Sequence, residues 1–208
     1  DSKVVFLENF NGKFLISYLP AEHEANLVKK TYQGWMPLNN SNYTAGCDPY
    51  DHKEVSDGHR SRMSNGSLCI IKKYNPLAPT EFDNGPCLLY INRPESPEVF
   101  YEDCLRALIY YGIHALIENQ KPGILHYFDR RGYANYAYTI YGNKEPGIAA
   151  SNRNNTYIAE ITDQFINDNI NTVYFEELIE DWLQFDPGNT TKFDAAMAFG
   201  YALTMVVN

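Results

Sequence analysis

Two periodicities divide the chain: short apolar runs bounded by turn residues through its first half, and apolar positions three and four apart through its second. The first kind reads as strands and the second as amphipathic helices. Tyr43–Asp48 (YTAGCD), Leu68–Tyr74 (LCIIKKY) and Cys87–Ile91 (CLLYI) are strand candidates. The polar stretch from Pro49 to Ser67 and the proline-bearing turn Asn75–Pro86 separate them, with no helical pattern between, so they form an antiparallel meander. Ser96, Pro97 and Glu98 then open a helix whose apolar positions Val99, Leu105, Leu108, Ile109 and Ile113 share helical spacing, and Gly112 closes it. Ile113–Glu118 (IHALIE) is a fourth strand, and its helical crossover implies parallel pairing. Pro122–Arg131 reads as a short helix closed by Gly132; Thr156–Asp168 and Glu176–Leu183 read as further helices. A last helix, Thr191–Val206, takes Asn189, Thr190 or Thr191 as its cap, and its Ala and Gly suit tight packing on a sheet. The fold class is therefore α/β: a mixed sheet, three antiparallel strands plus parallel strands, flanked by α-helices.

Residues 1–40 carry two short apolar runs, Val4–Leu7 and Phe14–Tyr18, and read as a lead-in packing on a main body over residues 41–208. No repeat of fixed period and no Pro- or Ser-rich linker divides that body. Hydrophobic residues at 44% and charged residues at 21% match globular chains and exclude disorder as the default. No apolar run is long enough for a membrane helix, and the first residues lack the basic start and apolar core of a signal peptide. The four cysteines, Cys47, Cys69, Cys87 and Cys104, form no C-x-x-C pair, which argues against a zinc knuckle or a disulfide framework and for a reducing setting. The net charge of −9 opposes unaided phosphate binding. Carboxylate clusters that hold divalent cations escape this objection in part, because the ions bring positive charge to the phosphate.

Three acids stand at such positions. Asp48 ends the first strand, Glu118 ends the fourth, and Asp194 lies in the first turn of the last helix. Each has an ordinary explanation alone: a turn-starting Asp before Pro49, a solvated strand-end acid, a helix-dipole partner. Jointly they suit another role, because the order of three strands, helix, strand, then helices is that of an RNase H-like sheet. In that sheet the first and fourth strands are neighbours and the last helix packs over them. Unit charges at ~4 Å repel by about 4 kcal/mol at an effective dielectric of 20, so the cluster calls for a proton or for hard divalent ions. Oxygen-only donors select Mg²⁺ or Mn²⁺, and two such ions support in-line phosphodiester hydrolysis.

Four segments carry a family resemblance. YTAGCDPYD, ALIENQ and TTKFDAAMAFGYAL resemble the three nuclease motifs of the large terminases of tailed bacteriophages, and NRNNTYIAEITDQFIND followed by FEELIEDWLQF resembles the block that precedes the third. The resemblance spans roughly residues 35–206. It implies an RNase H-like, Mg²⁺- or Mn²⁺-dependent endonuclease domain with Asp48, Glu118 and Asp194 as catalytic metal ligands, two ions, and double-stranded concatemeric DNA as substrate. It also implies an ATPase domain elsewhere in the full-length protein, portal and small-terminase partners, no membrane, and a place in the host cytoplasm at the procapsid. No G-x-x-x-x-G-K-[ST] loop occurs, so the expectation is the nuclease portion alone.

Secondary candidates follow. Asp51, Glu54 or Asp57 is a candidate further acid of the long loop, although a charged loop run is ordinarily solvated surface. Lys192 is a candidate phosphate contact, and Arg130, Arg131 and Lys121 are candidates to line a DNA path. His52, His59, His114 and His126 show no ligand or triad spacing. Tyr133, Tyr136, Tyr138 and Tyr141 alternate as on a hairpin face or a base-stacking platform. The competing functional classes are another RNase H-like nuclease, of resolvase or transposase type, and a non-catalytic docking domain for portal or capsid.

Overall fold

A five-stranded sheet in the order β1-β6-β5-β4-β7 forms the centre of the computed structural model, which describes residues 3–50 and 64–207. Its strands are β1 (Phe14–Ile16), β4 (Tyr43–Asp48), β5 (Gly66–Lys72), β6 (Gly85–Asn92) and β7 (Ala115–Ile117), while β2 (Val28–Thr31) and β3 (Gly34–Pro37) pair as a separate hairpin. Strands β1, β6, β5 and β4 pair antiparallel in turn, and β7 pairs parallel to β4. The helices are α1 (Pro97–Tyr111), α2 (Gly123–Arg130), α3 (Asn152–Asn169), α4 (Glu176–Leu183) and α5 (Asp194–Val207). The mixed α/β sheet flanked by helices is as expected, with one parallel pairing among the named strands.

Strand alternation sorts the side chains into two cores. Tyr43, Ala45 and Cys47 of β4, Leu68 and Ile70 of β5, and Leu88 and Tyr90 of β6 face α1, meeting Phe100, Cys104, Leu105 and Leu108. Cys69, Ile71 and Leu89 face the other way, towards Phe165 of α3, Leu178 of α4 and Phe199 of α5. Both faces are covered, so β4 and β5 are buried along their whole length, and Leu68–Ile71 reads as a continuous apolar run rather than as an alternation. Each fully buried Leu or Phe in these layers contributes about 1.5–3 kcal/mol relative to an exposed one. All four cysteines are buried free thiols, and among the described residues no helix is long and apolar enough to cross a membrane.

Several element boundaries differ from the sequence reading. The second strand begins at Gly66 and ends at Lys72 rather than spanning Leu68–Tyr74, because Gly66 and Ser67 pair with Asn92 and Ile91. The fourth shrinks to Ala115–Ile117, and Glu118 continues it only as an isolated bridge to Ile148. The lead-in is partly integral to the body: Phe14–Ile16 is an edge strand on β6, while Val4–Leu7 forms no strand. Ser96 occupies the cap position of α1 without a side-chain cap bond, whereas Gly112 closes the helix in the left-handed region at φ 68°, as expected. The tyrosine alternation is not a hairpin. Ala134–Tyr136 is a 3₁₀ turn, Tyr136 is buried, and Tyr141 is exposed.

The last helix begins at Asp194 rather than Thr191, because Thr190–Lys192 form a 3₁₀ turn. Its first orphan donors are satisfied from another element: one Asp181 oxygen, on α4, accepts from the backbone N–H of Ala195 (3.0 Å) and Ala196 (3.1 Å). Phe193 precedes the helix and has no side-chain acceptor, which explains why the cap comes from a distance.

Candidate functional site

Parity places two of the acids together. On β4 the positions alternate with Tyr43, Ala45 and Cys47 towards α1, which turns Gly46 and Asp48 to the α5 side. On β7, Leu116 packs with Met197 and Tyr201 of α5, and Glu118 lies two residues on. Parallel pairing brings Cys47 opposite Ile117, and the Glu118 N–H donates to the Cys47 carbonyl at 2.9 Å, so Asp48 and Glu118 end adjacent strands on one face. The other side of Glu118 is fixed as well: Ile148 N–H donates to Ile117 O, and Asn119 N–H donates to Ile148 O.

Close packing delivers the third acid. A Cβ on Gly46 would lie 2.1 Å from the Ala198 carbonyl oxygen and 2.3 Å from the Ala202 nitrogen, so α5 lies directly on β4 and only glycine fits between. Asp194, one turn before Ala198, is thereby brought to the Asp48 end of the strand. Its carboxylate is held by Ser64 Oγ at 2.5 Å and by the Asn65 N–H at 3.0 Å, just ahead of β5. Arg93 donates to the Ser64 carbonyl and stacks its guanidinium 4.5 Å from the centre of the Tyr50 ring, which steadies this support.

All three acids are buried: Asp48 is 7%, Glu118 2% and Asp194 8% exposed. One ammonium serves two of them. Lys121 Nζ is 3.0 Å from Asp48 Oδ1 and 3.7 Å from Glu118 Oε2. Glu118 Oε1 accepts from the Gln120 N–H at 2.6 Å, but Oε2 is buried with no hydrogen-bond partner. Burial pushes the Asp48 carboxyl up to about 7; Lys121 pulls it down, and Asp194 and Glu118 push it further up. Burial also raises Glu118 and Asp194, against the hydrogen bonds each accepts. Burial disfavours the Lys121 ammonium, yet Asp48, Glu118 and Asp194 together outweigh it and hold Lys121 above the ordinary lysine range. The Tyr201 hydroxyl is raised first by burial and then by Asp48 and Glu118. Asp181 is raised by burial, against its bonds to Ala196 and Ala195, with a further push from Asp194.

The arrangement therefore sets three buried carboxyls against a single ammonium, and it leaves Glu118 Oε2 without a hydrogen bond. Hard oxygen donors of this kind fit Mg²⁺ or Mn²⁺. Among the described residues no three Asp, Glu, His or Cys side chains are already grouped around one point as ligands of a single ion. Asp48 and Glu118 are drawn onto Lys121 instead, and Asp194 onto Ser64 and Asn65.

The remaining candidates separate. Lys121 belongs to the acid site itself, not to a path shared with Arg130 and Arg131. Those two pair with Glu98 and Glu102 of α1, which covers the opposite face of the sheet. Lys192 is exposed on the turn before Asp194 and makes no ion pair among the described residues. His114 is lowered to about 4, first by burial and then by Lys73, and His126 is exposed. Asp51, Glu54, Asp57, His52 and His59 lie outside the described residues. Sequence reasoning missed Asp181 and Ser64 as supports of the third acid; the one local signal for Lys121 was its i,i+3 spacing from Glu118. No protein-family model and no curated protein matches the chain.

Proposed function

We propose that the chain is the nuclease domain of a viral DNA-packaging terminase, with an RNase H-like fold, hydrolysing phosphodiester bonds of double-stranded DNA with Mg²⁺ or Mn²⁺. The observation that carries the reading is that buried Asp48 and Glu118, ending adjacent strands, share one ammonium while Glu118 Oε2 accepts no hydrogen bond, with the buried Asp194 carboxyl, at a helix start, close enough to push Asp48 up. The four terminase-like segments favour this family over a resolvase or transposase. The presence of all three acids favours catalysis over a docking role.

Asp48, Glu118 and Asp194 would hold the divalent ions, which when bound activate water and stabilise the leaving oxygen. The chain's own residues prepare that site. Gly46 lets α5 approach, Ser64 and Asn65 fix the Asp194 carboxylate, and the strand pairing on both sides of Glu118 fixes its backbone. The ATPase, portal and small-subunit partners and the procapsid setting in the host cytoplasm belong to the same proposal.

Plasmid nicking tests it. The protein is expected to nick supercoiled DNA with Mn²⁺ or Mg²⁺ and not with EDTA. Asp48→Asn, Glu118→Gln and Asp194→Asn should each lower the rate by about 100-fold or more while melting cooperatively. Undiminished nicking by all three variants would remove the assignment.

A further inference from the structure

Lys121 is the one side chain that forms an ion pair with any of the three acids among the described residues, and it pairs with two of them. Its side chain is 35% exposed, against 10% for Asp48 and 3% for Glu118, so Lys121 is the most exposed of the three. It bonds Asp48 Oδ1 but stays 3.7 Å from Glu118 Oε2, which no donor reaches. A divalent ion such as Mg²⁺ held by these oxygens would sit at about 2.0–2.1 Å from them. An ammonium 3.0 Å from Asp48 Oδ1 would then face that ion at close range in a largely buried site, where like charges repel strongly.

We infer that Lys121 is a built-in counter-ion occupying the cation position between Asp48 and Glu118, and that a divalent ion must displace it to enter. The inference rests on the metal reading above and adds a control to it. The metal-free acids are neutralised in part by the chain itself, and ion uptake is coupled to movement of one flexible side chain. Lys121 precedes Pro122 and the start of α2, so its four-carbon stem can swing without unpairing a strand.

Calorimetric Mn²⁺ titration of the whole chain tests this directly. Lys121→Met keeps the stem and removes the charge; it should bind Mn²⁺ about tenfold more tightly than wild type, the scale expected on removing one partly buried ammonium that pairs with both acids. Lys121→Arg keeps the charge and should stay within about twofold of wild type. Equal or weaker binding by Lys121→Met, or equal tightening by Lys121→Arg, overturns the inference and leaves the nuclease reading standing. Absence of binding by both wild type and Lys121→Met removes the metal reading and the inference with it. A second readout needs no variant: amine-reactive labelling of Lys121 in the wild-type protein, followed by mass spectrometry, should rise on saturation with Mn²⁺. Unchanged or reduced labelling counts against displacement.

Discussion

At Asp48, burial and Coulomb attraction pull in opposite directions, and burial wins: the carboxyl sits near 7 although Lys121 is bonded to it. A carboxyl with a higher pKa in the folded than in the unfolded chain stabilises the fold fully below the unfolded value of 3.8, and that stability is lost as pH rises through about 7. Asp83 and Glu102 act oppositely. Burial would raise both, but Lys72 and Thr80 hold Asp83 low, and Tyr127, Arg106 and Arg131 hold Glu102 low. The clean measure is therefore the difference between wild type and Asp48→Asn. In EDTA, wild type should lose melting temperature relative to Asp48→Asn between pH 4 and pH 8, and saturating Mn²⁺ should restore it. A flat difference across that range contradicts the burial argument.

At the scale of elements, the contact of α5 with β4 decides whether a site forms at all. A methyl at Gly46 meets backbone atoms at 2.1 and 2.3 Å, and backbone cannot rotate away. Gly46→Ala is expected to cost on the order of 3 kcal/mol in urea denaturation and to weaken Mn²⁺ binding, since α5 carries Asp194. At Gly200 the nearest atom is the Ile158 Cγ2 at 2.2 Å, on a buried β-branched side chain that is stiff at χ1, so Gly200→Ala should also cost about 1–3 kcal/mol. Asp181 stands in for the missing local cap of α5. Asp181→Ala should cost about 1 kcal/mol and speed amide exchange at Ala195 and Ala196, read by hydrogen exchange.

For the whole molecule, the net charge of −9 sets how DNA can be approached. Arg130 and Arg131 are spent on Glu98 and Glu102, and Lys121 on the acid pair. Without divalent ions, duplex binding should be weak and should depend only shallowly on salt, as few phosphates are neutralised. Mn²⁺ should strengthen binding by wild type and not by the combined variant Asp48→Asn, Glu118→Gln, Asp194→Asn, as fluorescence anisotropy would report. Equal strengthening in the combined variant would mean that the ions act elsewhere.

From Tyr43 on, the kinds and order of the main elements were legible in the amino-acid pattern, because turn residues, a left-handed Gly112 and apolar period are local properties of the chain; the β2–β3 hairpin before it was not. The strand Tyr43–Asp48 and the helix Glu176–Leu183 have the boundaries the pattern predicts, and the strand-end acids were visible as polar stops after apolar runs. The edge pairing of β1, the remote cap from Asp181 and the supports of the acids were not. Lys121 and Asp48 are 73 residues apart, and Ser64 and Asp194 are 130 apart. Periodicity reports which face a side chain takes on its own element; which charges then meet depends on register and helix approach, and these are set only when the layers pack.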